Sequence, residues 1–185
     1  MSRFKFLLEA LRNFKEVGTV TRSGRELSRK IASFMTKEDK YVLELGAGDG
    51  ALTHSILINM HPEGKLLCFE INPNMVEVLA RIDDPRLIVV NDSAEKMEKY
   101  MREHDITSFD GIISAIPYIV LPKVLAKKII TLCKKNLKRN RFYLQVHYAK
   151  TKLSLYTESF GNIETFWVLL NVPPAYVFKC VKKTN

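Results

Sequence analysis

A carboxylate stands two residues before a glycine turn in the run Val42-Leu43-Glu44-Leu45-Gly46-Ala47-Gly48-Asp49-Gly50, a spacing suited to holding a nucleotide-like ligand. Apolar residues that bury on both faces of a parallel sheet lead into the turn. The glycines let backbone amides approach a ligand, and a helix starts at Ala51-Leu52-Thr53-His54. Gly46, Gly48 and Ala51 satisfy G-x-G-x-x-G/A, so the glycines alone admit a dinucleotide as readily as any other adenosine-bearing ligand. Glu44 separates the two. A carboxylate facing a pyrophosphate in a partly dry cleft is repelled, whereas S-adenosylmethionine carries no phosphate and brings an ammonium and a sulfonium to such a loop. The expected cofactor is therefore S-adenosylmethionine, with S-adenosylhomocysteine (SAH) as product. The competing role for Glu44 is that of a strand-end acid turned to solvent or paired with a lysine.

In a doubly wound sheet, ligands lie beyond the carboxyl ends of the strands, and the residues just after each strand are the next candidates. Glu70 follows the second apolar run, roughly 20 residues past the turn, where an acid accepts the ribose hydroxyls of an adenosine. Asn91-Asp92-Ser93 follows the third; Asp92 suits an adenine amino group, or equally the cap of the helix starting near Ala94. Ser114-Ala115-Ile116-Pro117-Tyr118 ends the fourth, where the proline fixes a turn and the tyrosine presents ring and hydroxyl to a substrate. Gln145-Val146-His147-Tyr148 ends the fifth. There Tyr148 is a second substrate candidate, and His147 reads as an ordinary strand histidine.

The elements that position these residues follow from periodicity. Apolar runs at Tyr41–Leu45, Lys65–Glu70, Leu87–Asn91, Gly111–Ile116 and Phe142–His147 read as strands. Helical patterns at Ala51–Asn59, Asn74–Arg81, Glu95–Arg102 and from Pro122 onward alternate with them, the signature of βαβ units and a mostly parallel sheet. Two β-rich runs, Thr165–Val172 and Tyr176–Lys182, are split by Pro173-Pro174 and read as an antiparallel closing pair. The expected fold is α/β, a Rossmann-like, doubly wound, seven-stranded sheet, mostly parallel with an antiparallel last strand.

Residues 1–40 precede this core, which spans 41–185, and read as a separate helical segment, a membrane or substrate lid. Phe4, Leu7, Leu8, Leu11 and Phe14 fall on one helical face, with Arg3, Lys5, Arg12 and Lys15 around the rest. Such a helix docks on its own core or lies in a membrane interface. Ser23 is placed to cap a second helix, Gly24 to Phe34, with Glu26 completing a capping box. The 185 residues fit one domain, and 29 Lys and Arg against 20 Asp and Glu give a net charge of +9, which favours an anionic partner: nucleic acid or an acidic membrane leaflet. No apolar run is long enough to span a bilayer and no signal-peptide pattern opens the chain, so a cytoplasmic location is expected. Cys68, Cys133 and Cys180 lack metal-ligand spacing and read as buried thiols.

Together these segments resemble the bacterial phospholipid N-methyltransferases, class I S-adenosylmethionine-dependent enzymes related to the rRNA adenine dimethylases. The resemblance runs over nearly the whole chain. It rests on Gly18-Thr19-Val20-Thr21-Arg22-Ser23-Gly24, the Leu43 to Thr53 loop, Ser114 to Tyr118, Gln145 to Tyr148 and Asn171-Val172-Pro173-Pro174-Ala175. It implies cofactor contacts at Glu44, Gly46, Gly48, Glu70 and Asp92, with the adjoining Ala47, Ile71, Ser93 and Ser114, and catalysis near Pro117, Tyr118 and Tyr148. Arg22 and Arg25 are candidates for a lipid phosphate. The implied reaction is methylation of a phosphatidylethanolamine amine, without a metal, by a peripheral protein at the inner membrane face. Adenine dimethylases carry Asn where this chain has Ala115, and a further C-terminal helical domain, so a nucleic-acid acceptor takes second place.

Overall fold

The computed structural model describes residues 24–148, 153–169 and 174–183. Its core is a sheet of seven strands, β1 Tyr41–Leu45, β2 Lys65–Phe69, β3 Leu87–Val90, β4 Phe109–Ser114, β5 Leu137–His147, β6 Glu164–Val168 and β7 Ala175–Val181, in the order β3-β2-β1-β4-β5-β7-β6. The first five strands pair in parallel, and β7 runs antiparallel between β5 and β6. The closing pair is thus antiparallel as expected from Pro173-Pro174, with the last strand inserted inside the sheet edge.

Helices cover both faces. On one, α1 Gly24–Ala32 and α2 Ala51–Asn59 bury Leu27, Ile31, Leu52, Ile56 and Leu57 against Val42, Leu66, Ile113, Leu144 and Val177. On the other, α4 Met97–Glu103, α5 Lys123–Asn136 and α6 Leu153–Phe160 bury Met97, Ile129, Ile130 and Tyr156 against Leu43, Leu67, Tyr143 and Phe178. Between α2 and α4 lies α3 Pro73–Leu79, which starts where Pro73 presets the first turn and Asn72 accepts from the Asn74 amide at 3.1 Å. The strands read as near-continuous apolar runs because they are sandwiched between helices.

Several boundaries shift by one to a few residues, and three larger departures have physical reasons. β4 stops at Ser114, two residues early, because the Ser114 hydroxyl accepts from the Ile116 amide at 3.4 Å and Pro117 has no N–H to continue the ladder. β5 begins five residues early, at Leu137, through a polar stretch that a bulge accommodates and in which Asn140 takes a positive φ of 58°. The sequence reading placed nothing at α6, whose Ser- and Thr-containing segment is a weak helix former; Tyr156, fully buried, anchors it. The expected helix over residues 4–14 and the Ser23 cap lie outside the described residues. All three cysteines are buried thiols, and among the described residues no helix is long and apolar enough to cross a membrane.

The amino end of the sheet is closed by a charge cluster. Asp110 accepts from the Lys40 and Tyr41 amides at 3.1 and 2.9 Å and from Lys138 Nζ at 2.7 Å. Arg141 reaches both the Asp110 carbonyl and the buried Asp39 carboxylate. Replacing Asp110 by alanine leaves two amides at the start of β1 without that acceptor and should cost about 2–4 kcal/mol. Urea unfolding checks this; a midpoint within error of the wild type would show that water replaces the carboxylate.

Candidate functional site

The turn after β1 is built from three glycines in a backbone conformation that other residues rarely adopt, with φ of 75° at Gly46, 61° at Gly48 and 86° at Gly50. A side chain at Gly46 would come within 3.3 Å of the Ile116 amide nitrogen, so the turn after β4 leans directly on the glycine loop. The loop is tied to β2. The Gly46 and Ala47 amides donate to the Phe69 carbonyl at 2.8 and 3.3 Å, and the Gly48 amide donates to Glu70 Oε2 at 2.8 Å. Glu70 Oε1 accepts from the Asn72 amide at 2.8 Å, while Asn91 Nδ2 donates to the Glu70 carbonyl at 2.9 Å. Glu70 therefore shapes the loop, and each of its carboxylate oxygens keeps lone-pair capacity for a further donor.

Glu44 lies beneath the same loop, 1% exposed, and neither faces solvent nor pairs with a lysine. Its Oε2 accepts from the Thr53 hydroxyl of α2 at 2.7 Å and from the Cys68 thiol at 3.7 Å. Its Oε1 is buried with no hydrogen-bond partner. Burial raises its carboxyl to about 7; the Thr53 and Cys68 hydrogen bonds oppose that rise, and Glu70 and Asp49 add to it. A buried, half-satisfied acid with two more acids nearby fits a ligand that brings positive charge and N–H donors, as the ammonium and sulfonium of S-adenosylmethionine do.

The remaining candidates divide. Ala47 and Ile71 are buried beside the loop and beside Glu70. Asp92 follows β3 and accepts from the Ser93 amide at 2.7 Å, Lys96 Nζ at 3.0 Å and the Tyr100 hydroxyl at 3.0 Å. Burial opposes its ionisation, yet these bonds hold its carboxyl below the ordinary range. Asp92 is thus braced across the following helix rather than capping it, since Ser93 takes the cap position. Tyr148 is half-exposed after β5, and its hydroxyl is raised first by burial and then by the charge of Asp49 on the glycine loop. Tyr148, just past the end of β5, and Asp49, on the loop after β1, lie on the same side of the sheet. Asp49 was not among the sequence candidates, although its place between two glycines is a usable signal.

Tyr118 is a correction. Instead of presenting its hydroxyl to a substrate, it is fully buried, 3.5 Å from both the Ser114 and the Tyr143 hydroxyls, with its ring edge-on to Tyr156. Burial raises its hydroxyl far above the ordinary value, so it stays protonated. Ser114 is likewise buried in that network, and Pro117 alone of the turn's candidates is partly exposed. Gln145, missed as a positioning residue, accepts from Tyr143 at 2.7 Å and donates to the Ile116 carbonyl at 3.0 Å, latching the turn to β5. His147 is a core residue, 2.7 Å from the Tyr156 hydroxyl. Arg25 is exposed in the first turn of α1, and Arg22 lies outside the described residues.

No family model matches the chain. It is 23% identical to the ornithine lipid N-methyltransferase of Singulisphaera acidiphila over 181 residues, covering 96% of this chain and 94% of that protein. It is 25% identical to the ribosomal RNA small subunit methyltransferase H of Burkholderia vietnamiensis over 87 residues, 47% of this chain and 28% of that one. Among solved structures, magnesium protoporphyrin IX methyltransferase of Synechocystis with bound SAH superposes with a TM-score of 0.68 at 12% identity, covering 95% of this chain and 94% of that one. The fold is that of the Rossmann-like class I methyltransferases.

The raised Glu44 carboxyl carries a stability signature. Between its ordinary value of 4.5 and about 7 the folded chain holds a proton that the unfolded chain has lost. The associated stability is fully present below the lower value and lost as pH rises through the upper one. Glu44→Gln removes this dependence. Without cofactor the variant should melt above the wild type at about pH 8, by roughly 4–8 °C if about 2 kcal/mol of burial penalty is relieved, and converge with it at about pH 5. Scanning calorimetry at the two pH values checks this; a variant less stable at both would mean the carboxylate has a partner that Gln cannot serve.

Proposed function

We propose that this chain is an S-adenosylmethionine-dependent N-methyltransferase acting on amine-bearing lipid head groups at the inner membrane face. The observation that carries it is the acid-lined glycine loop, where the orphaned Glu44 oxygen, Asp49 and Glu70 favour a cationic, phosphate-free ligand. The match along nearly the full length of an ornithine lipid N-methyltransferase supports a lipid acceptor. Ala115, standing where adenine dimethylases carry an acceptor side chain, weighs in the same direction. Ribosomal RNA methylation is the second reading, favoured by the partial match to an rRNA methyltransferase.

When bound, S-adenosylmethionine supplies a methyl group made electrophilic by its sulfonium. Glu44, beneath a loop whose Gly46, Ala47 and Gly48 amides are bound to Phe69 and Glu70, would face its charged end, Glu70 and Ile71 would meet its ribose, and Asp92 and Ser93 its adenine. The chain then has to align a neutral amine and exclude water. Tyr148 is the candidate for that work. Its hydroxyl, kept protonated by burial and by Asp49, accepts a hydrogen bond from an amine, and its ring face favours the more substituted cation that transfer produces. Arg22 and Arg25 are placed by sequence before the loop to meet a lipid phosphate, and Pro117 stiffens the turn that walls the cleft.

Labelled S-adenosylmethionine offered with vesicles containing phosphatidylethanolamine, vesicles containing ornithine lipid, rRNA and small amines tests this reading. Label is expected in a lipid; label in RNA alone would sink it. Tyr148→Phe should lower kcat by roughly 10–100-fold with cofactor affinity retained, whereas Glu44→Gln should weaken cofactor binding roughly tenfold in calorimetry. An unaltered affinity would remove Glu44 from the site.

A further inference from the structure

The direction of each element sorts the exposed apolar residues by the end of the sheet they occupy. β1 to β5 run in parallel, so their carboxyl ends share one side; β6, antiparallel to β7 as β5 is, points the same way. The helices α2 and α5 begin on that side, and α1 begins there too, since Gly24 packs against Ala51. Among the described residues seven large hydrophobic side chains are exposed, and five of them, Ile119, Val124, Tyr148, Trp167 and Leu169, lie on this side. Ile58, near the end of α2, lies on the other, and Val78 is near the end of α3, whose Leu79 abuts Gly50.

We propose that the carboxyl end of the sheet is a membrane-docking face, seating in the lipid–water interface of an anionic bilayer around the mouth of the cleft. Val124 is 81% exposed, Leu169 59% and Trp167 58%, values that a chain meeting only water does not favour in several large apolar residues at one end of a sheet. Trp167 stacks on Tyr176 with ring centroids 5.8 Å apart and planes 8° from parallel, a stiff plate of the aromatic type that partitions to head-group depth. Cations accompany it. Arg25, Lys123 and Lys127 are exposed in the opening turns of α1 and α5, while Asp49 is the exposed acid near the centre. At the amino end Lys135, Lys138 and Arg141 are bound to Glu98, Asp110 and Asp39, while Arg139 is exposed. Free cations around apolar anchors suit an acidic leaflet. The inference deepens the lipid reading and rests on it for its purpose: a docked cleft receives an amine without drawing the lipid out of the bilayer.

Trp167 is the single tryptophan of the chain, so its fluorescence reports on this face alone. With vesicles of equal parts phosphatidylglycerol and phosphatidylcholine, which offer no primary amine, its emission should shift to the blue and be quenched when the phosphatidylcholine carries brominated acyl chains. Val124→Asp and Leu169→Asp should each weaken vesicle partitioning by roughly tenfold, and Ile58→Asp should leave it unchanged, with cofactor affinity equal in all. Sedimentation with vesicles but no quenching would overturn the proposal, leaving the basic residues 1–15 as the anchor; so would an equal loss in Ile58→Asp, or quenching by RNA but not by lipid. Quenching without methyl transfer to any lipid would keep the docking face and remove the lipid acceptor, so the two readings fail separately.

Discussion

Two carboxylates hold the glycine loop, one from beneath and one from the side, and they repel each other while doing so. Glu44 fastens β1 to α2 through Thr53, and Glu70 fastens the loop to β2 through the Gly48 amide. Neither has a lysine or arginine as a partner among the described contacts. Each is stabilised by neutral donors, which orient a carboxylate without neutralising it. The loop consequently has a fixed shape and an unmet demand for positive charge. That demand, more than the glycines, narrows the ligands the site will accept.

The wall opposite the loop is set by a different kind of interaction. Tyr118, Tyr143, Tyr156 and His147 form a buried aromatic cluster whose polar atoms bond to one another and to Ser114 and Gln145. Buried hydroxyls that lacked these partners would each cost about 1–3 kcal/mol, so the network fixes its members in one arrangement. Gln145 carries that order to the Ile116 carbonyl, and Ile116 in turn touches Gly46. The tyrosine cluster thus sets the width of the cleft from behind, and Tyr148, outside it, is left accessible at the mouth.

The two ends of the sheet divide the protein's charge. At the amino end Asp39 and Asp110 gather backbone amides, Lys138 and Arg141 into a closed cluster that terminates the sheet. At the carboxyl end Glu44 and Glu70 are buried at the loop, and apolar, aromatic and cationic residues are exposed there together with Asp49. A net charge of +9 therefore says little by itself; its distribution decides which surface meets a partner.

Much of this was legible in the residue order. The strand–glycine–helix unit, Glu44 and Glu70 at their spacings, the alternation that makes a parallel sheet and the prolines that force an antiparallel close are local signals, each fixed by backbone chemistry within a few residues. β1 and α2 fall where periodicity puts them. What local pattern could not give is which side of an element faces the cleft. Tyr118 and Tyr148 look alike in sequence, yet one turn direction buries the first under α6, a helix whose stability comes from the core that Tyr156 enters. The insertion of β7 beside β5 and the placing of Asp49 and Tyr148 on one side of the sheet likewise depend on pairing between strands distant in sequence. The sequence by itself determined the chemistry on offer, an acid-lined glycine loop on a doubly wound sheet; only tertiary packing decided which side chains reach that loop, because burial depends on what the rest of the chain places on top of them.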